Sequence, residues 1–436
     1  MTEAADFIPP SSKDRVSFGA WWTLAVLLLL YILSFVDRNA VAMLVEPIKA
    51  DLNLSDTQVS LLLGPAFTLT YAIFGVPLGW AADRAPRRWV IFVGVVAWSA
   101  CAVATGLAKS FLPMFAARSG VGIGEASLSP SAYSLLADKF PTHRLALALS
   151  IYQGGIYLGQ AGAIALVALV LAHADWLSGV VPGMSDLAPW RMAIILTGAP
   201  GIIFAFLVFT FSEPQRRQAA VAKGAPAAPG FWAFVRENLT LITLLMIGFG
   251  LVSMCGIALG AWTPTYLERR FAMGPGEYAP FLSGISLAGG VTLLIKGGLM
   301  DWLYGRGTRD IHVRLYTWFL LGTSPAIYLL YLASSPTLFF VLYAIVLIVT
   351  IPFMVFLIPA VQIFTPQPYR ARMAATFLCG VTVIGSLGPV LVGLITDRAL
   401  GDPGQLGTAL AIVIGGAMPI TFVTLRLAMP HLRKVM

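Results

Sequence analysis

Apolar runs of about twenty residues recur along the whole chain, and no other feature of the sequence limits the fold as strongly. A run of that length is what one α-helix needs to cross the hydrocarbon core of a bilayer. The composition agrees: 58% of the 436 residues are hydrophobic and 11% are charged, where a soluble protein carries about a quarter charged. The mean hydropathy is +0.83. The chain therefore reads as an all-α integral membrane protein, with no soluble stretch large enough for an independent active site. The first apolar run continues past Asp37 without a small-residue cleavage site, so it reads as a span rather than a removable signal.

Twelve spans are expected, at 20–45, 58–80, 89–109, 111–138, 144–172, 189–212, 238–267, 279–302, 311–333, 336–364, 371–396 and 406–429. Basic residues concentrate in alternate loops. One set holds Arg84, Arg87, Arg88, Lys139, Arg144, Arg216, Arg217, Lys223, Arg236, Arg306, Arg309, Arg314, Arg370 and Arg372. The opposite loops hold only Lys49, Lys109, Arg191, Arg269, Arg270 and Arg398. The positive-inside rule then places both termini in the cytoplasm. The same bias accounts for the net charge of +8 without nucleic acid as a partner.

One polar, Ala/Pro-rich break at 213–230 divides the chain six spans from six. The expected organisation is a first bundle over 1–212, a linker over 213–235 and a second bundle over 236–436. The halves repeat. "GWAAD" (79–83) and "GGLMD" (297–301) share Gly-x-x-x-Asp at an offset of 218, ending in Asp83 and Asp301. Arg144, Gly154 and Gly159 are matched by Arg370, Gly380 and Gly385 at an offset of 226. Duplicated bundles of this kind suit a transporter that rocks one repeat against the other around a central site.

These residues also carry a family resemblance. "GWAADRAPRR" (79–88) resembles the signature between spans 2 and 3 of the major facilitator superfamily, with Pro86 where that signature usually has Gly. "RSGVGIGEAS" (118–127) is similar to the superfamily's span-4 signature. With "FVDRNAV" in span 1 and "GVGIGEASLSPSAYSLLADKFP" (120–141) in span 4, the chain resembles the spinster subfamily. The resemblance implies the major facilitator fold, export of sphingolipids or lysophospholipids, and proton coupling in bacterial members. It also implies an inner gate at Gly79, Asp83, Arg84 and Arg88, locked in the outward-facing state, with Asp301 as a weaker second copy lacking the adjacent Arg. Span 5, "IYQGGIYLGQAG" (151–162), has the glycines but not the Pro of many drug antiporters, and departs from that branch.

Four charges lie deep in the first half: Asp37, Arg38, Arg118 and Glu125. A charge at the bilayer centre costs roughly 2.5–3.5 kcal/mol on insertion scales, so such residues face a cavity or a partner. Neighbours on a helix point about 100° apart, so Asp37 and Arg38 cannot neutralise each other. At 1.5 Å per residue, Arg118 and Asp37 lie about 10 Å below the outer surface and Glu125 about 21 Å. The expected arrangement is an Asp37–Arg118 pair, Glu125 near the midplane, and Arg38 left free as a forked donor to a substrate anion. A carboxylate in a poorly hydrated cavity holds its proton more tightly and a nearby cation loosens it again, so Asp37 and Glu125 are the candidate proton carriers. Spans 7, 10 and 11 have no deep charge and few polar residues, Ser253, Thr263, Thr350, Gln362, Thr376 and Thr382 among them. One charged and one apolar wall suit an anionic or zwitterionic head with a greasy tail.

The expected protein is a monomeric, proton-linked lipid transporter in the inner (plasma) membrane, using no cofactor or metal. Its partners are protons, a lipid or lysolipid, and the bilayer. The rivals are a proton-coupled carrier of a water-soluble organic anion and an uncoupled facilitator. A membrane-embedded acyltransferase would need a His/Asp or metal constellation that the sequence lacks. His143, His173, His312 and His431 lie at span ends. Cys101, Cys255 and Cys379 fall in separate apolar segments and read as small buried side chains.

Overall fold

The structure is a computed structural model describing residues 16–214, 230–308, 310–350, 353–366 and 369–435. The linker residues Arg216, Arg217 and Lys223, and Arg309, lie outside the described residues. Inner and outer are used below for the expected cytoplasmic and opposite ends.

The first span is α1 (Phe18–Ala40), prolonged by a 3-10 turn at Val41–Met43. After it come α2 (Val45–Leu52) at the outer rim, then α3 (Asp56–Leu63) and α4 (Pro65–Arg84), which together make the second span. The third is α5 (Arg87–Leu107). Next are α6 (Phe111–Glu125) and α7 (Leu128–Lys139), then α8 (Thr142–Ala172) and the short α9 (Ala174–Val180) in the outer loop. The first half closes with α10 (Pro189–Gly198) and α11 (Pro200–Phe204). The second half holds α12 (Phe231–Glu237), α13 (Leu239–Phe271), α14 (Pro275–Gly305), α15 (Ile311–Leu329), α16 (Pro336–Val349), α17 (Met354–Phe364), α18 (Arg370–Leu394) and α19 (Leu406–Val435). A π-helical stretch, Ile395–Leu400, extends α18.

Among the described residues, eleven helical stretches are long and apolar enough to cross a membrane. The expected fourth span is the exception: it is two helices, α6 and α7, separated at Ala126 and Ser127. Corresponding helices recur along the chain. Phe111 and Pro336 open α6 and α16, 225 residues apart, and Leu128 and Met354 open α7 and α17, 226 apart.

Local chemistry sets the ends. Ser55 accepts from the Gln58 N–H at 3.2 Å while Gln58 Oε1 accepts from the Ser55 N–H at 3.0 Å, a reciprocal cap worth about 1 kcal/mol at the start of α3. Ser335 caps α16, with Pro336 fitting the first helical position. Large apolar side chains such as Ile73, Val76, Leu112 and Ile203 stay exposed, as a hydrocarbon-facing surface allows.

The halves meet where α8 packs on α14 and where α18 packs on α3 and α4. Two glycines permit the second contact. A Cβ on Gly64 would stand 2.6 Å from the Ser386 carbonyl oxygen, and one on Gly393 2.7 Å from that of Asp56. Both obstacles are backbone, which cannot swing aside, so only glycine lets α18 close on α3 and α4 at the outer end.

Candidate substrate and coupling site

The four deep charges come together. Asp37 and Arg38 project from α1, Arg118 and Glu125 from α6, and the fork of Arg38 sends Nη2 to Glu125 Oε2 at 2.6 Å. The Glu125 side chain is 1% exposed and that of Arg38 is 28% exposed, so the pair has a buried acidic end and an accessible basic end. The guanidinium carbon lies 4.4 Å from the Phe35 ring centre, 4.3 Å from Phe67 and 5.4 Å from Tyr71. Aromatic faces at that range hold a desolvated cation by up to about 2 kcal/mol. Arg38 Nε and Glu125 Oε1 are buried and have no hydrogen-bond partner.

This corrects the expected pairing. Arg38 is bound to Glu125 rather than free. Arg118 reaches main chain instead of the Asp37 carboxylate: Nη1 donates to the Asp37 carbonyl at 3.4 Å and Nη2 to that of Arg38 at 3.5 Å. Asp37 is buried, its Oδ1 lacks a hydrogen-bond partner, and its electrostatic neighbours are Glu125, Arg118 and the Trp98 indole N–H. Leu44, Val45 and Ile48, just beyond the span, are fully buried, and the outer charges begin at Glu46, Lys49 and Asp51. The pairing follows from which side of α1 each charge leaves: the step of about 100° between neighbours turns Arg38 towards Glu125.

Tyrosines that carried no signal at sequence level surround the pair. Tyr31 stacks on Tyr152 with centroids 4.3 Å apart, Tyr133 meets Tyr152 edge-on at 5.7 Å, and the Tyr31 hydroxyl donates to Gln153 Oε1 at 3.1 Å. Buried polar residues inside otherwise apolar spans were the available clue.

The candidate gate lies at the opposite end of α4. Asp83 and Arg84 are exposed, and the Arg84 guanidinium rests on the Trp80 ring at 4.0 Å. Gly79 has no close neighbour, the nearest being Pro130 at 3.9 Å from a built Cβ. Arg88 donates to the Phe211 carbonyl at 3.0 Å. Asp301 lies in α14, and its side chain is outside the described residues. Arg87, passed over as a gating residue, is the anchor of this end. It is fully buried and bonds Asp138, Ser134, Glu213 and the Pro214 carbonyl.

The outer end carries the charges that cross between halves. Arg269 of α13 grips Asp56 with two nitrogens at 2.8 Å each, and takes Glu46 at 2.7 Å. Lys49 also pairs with Asp56. Asp397 accepts from the Thr57 N–H and hydroxyl, both at 2.6 Å, at the start of α3. Sequence position alone made Arg269 an ordinary loop charge.

A family model described as Major Facilitator Superfamily matches residues 27–393. An MFS-type efflux pump of Mycolicibacterium smegmatis is 30% identical over 95% of this chain and 94% of its own length. A hexuronate transporter of Bacillus subtilis is 27% identical over 68% of this chain and 67% of its own. Among solved structures, a bacterial homolog of the human lysosomal transporter spinster, inward-facing and unoccupied, superposes with a TM-score of 0.79 at 26% identity, covering 96% of this chain and 97% of that one.

Proposed function

The chain belongs to the major facilitator superfamily, and on that premise we propose that it moves an amphipathic lipid of sphingolipid or lysophospholipid type by alternating access, driven by protons, across a bacterial inner membrane. The observation that carries this reading is the Arg38–Glu125 pair, accessible at its basic end and buried at its acidic end.

The pair gives coupling a simple form. Ionised, Glu125 holds Arg38. When a proton binds the Glu125 carboxylate, the charge-assisted bond weakens, and the Arg38 fork becomes available to a phosphate or carboxylate. The Phe35, Phe67 and Tyr71 rings keep the guanidinium in place meanwhile. Loss of the proton restores the pair and expels the anion. Asp37, close enough to interact with Glu125, biases which carboxylate carries the proton. Support for a lipid as cargo is the spinster resemblance of the span-1 and span-4 motifs, which implies sphingolipids or lysophospholipids. Proton and anion load together in this scheme, so the two move in the same direction.

A second reading has its own observation. A small cavity under the closed outer end has polar side chains on both walls, Asn39 and Gln160 from one half and Thr263, Ser286 and Tyr343 from the other. Polar groups on both sides suit a water-soluble organic anion, the kind of cargo for which the Bacillus subtilis hexuronate transporter is named. Proteoliposomes with an imposed pH gradient separate the two. The lipid reading expects gradient-driven movement of a fluorescent lysophospholipid that excess hexuronate leaves unchanged. Gradient-driven uptake of labelled hexuronate, with the lysolipid immobile, replaces it with the second reading.

A further inference from the structure

The fourth span of the first half and its counterpart in the second are both broken, at matching places. The helix α6 stops at Glu125 after 15 residues, and α16 stops at Val349 after 14. Each therefore ends roughly 21–22 Å below its outer start. A helix ending there leaves its last carbonyls, and the negative end of its dipole, inside the membrane. Those oxygens need partners where water is absent.

The two halves solve this differently. After α6, the Ser127 N–H and hydroxyl both satisfy the Gly124 carbonyl, at 3.2 and 2.8 Å. After α16, the partner is a cation. Lys296, reaching from α14, donates Nζ to the carbonyls of Ile348 and, at 3.0 Å, of Val349. The next carbonyl, Thr350, accepts from the Tyr316 hydroxyl at 2.8 Å, and the Thr350 hydroxyl meets that of Thr323 at 2.9 Å. Lys296 is 7% exposed and sits nine residues, about 14 Å, from the inner end of α14. The sequence places it near a span end; the structure folds it inward onto the break.

We propose that the break in α16 is a monovalent-cation site formed by the Ile348 and Val349 carbonyls, and that the Lys296 ammonium is a tethered cation occupying it. Interrupted helices in transporters hold alkali cations on unwound carbonyls and on the C-terminal ends of half-helices. An ammonium is a compact point charge with three donors, suited to the same oxygens. The tether has a mechanical consequence. The helix α14 also lies on the seam, with the Ser283 hydroxyl donating to the Ala161 carbonyl of α8 at 3.3 Å and Gly290 against Tyr157. The cation thus fixes a seam helix to the broken span, and no free ion is needed to hold them together.

Removing the tether should expose the site. Lys296→Ala, wild type and Lys296→Met are compared by thermal unfolding in sodium chloride and in choline chloride, whose cation is too large to enter. In choline, Lys296→Ala should lose several degrees in Tm. Sodium at about 100 mM should then raise its Tm by roughly 2 °C or more, with no such response in wild type or in Lys296→Met, whose side chain fills the space without charge. If Lys296→Ala can be purified in sodium but not in choline, the proposal also stands. Recovery in neither salt, an unchanged Tm in sodium, or the same sodium shift in all three proteins overturns it.

Discussion

The outer and inner ends of this transporter use the same residue types for opposite purposes. At the outer end, Arg269 of one half binds Glu46 and Asp56 of the other, and Asp397 caps the start of α3 across the same seam. At the inner end, the buried Arg87 binds Asp138 of its own half and Glu213 at the start of the linker that follows it, and Arg433 binds Asp310 of its own half. Among the described residues, every ion pair between halves lies at the outer end. Pairs that cross the seam must break when the halves rock; pairs within a half can persist through the cycle. The difference therefore separates the bonds that define the conformation from those that hold each bundle together.

The largest effect is expected from Arg269→Ala. It leaves a buried Asp56 with half its cationic partners, and unpairing a buried charge costs roughly 3–5 kcal/mol. That penalty falls only on the outward-closed state. Spin labels at Ser55 and Gln405, both exposed on opposite sides of the outer seam, should report a longer distance in this variant. An unchanged distance would show that the crossing pairs do not define the state.

Arg87→Ala should cost a comparable or slightly smaller amount, roughly 3 kcal/mol from lost charged hydrogen bonds. It acts on a different quantity. The Tm should fall while the Ser55–Gln405 distance stays as in wild type. A shift in that distance would mean the inner network also reports across the seam. Gly393→Leu should act more weakly, at roughly 1–3 kcal/mol for an overpacked contact. Its side chain would press on the Asp56 backbone, so the outer labels should move apart without loss of expression. A wild-type distance would show that the seam has slack there.

Sequence and structure agree most where solvent dictates the answer. Hydrocarbon forces long apolar helices, so the spans were legible in the apolar runs, and the Gly-x-x-x-Asp repeats announced two related halves. The breaks at Ala126–Ser127 and after Val349 were not drawn from the sequence, because apolar residues resume beyond each; the Gly/Ser-rich 120–131 and Pro352 were the available signals. The four deep charges were identifiable by their rarity, but their pairing was not. It depends on which side of α1 each neighbouring charge leaves, and a step of about 100° alone does not say which of the two turns to Glu125. Arg269 and Lys296 were hidden for a related reason. Each lies close to a helix end in sequence, where a charge usually meets water, and each turns inward to oxygens on a distant segment.

The most direct test of the account concerns Glu125. Wild type and Glu125→Gln are reconstituted in proteoliposomes, and transfer of a fluorescent lysophospholipid is followed with and without a pH gradient. The account predicts that the gradient accelerates transfer in wild type and that the variant loses this response, roughly tenfold or more, in line with 1.5–3 kcal/mol for a charged hydrogen bond. A variant that answers the gradient as wild type does would contradict coupling through the Arg38–Glu125 pair.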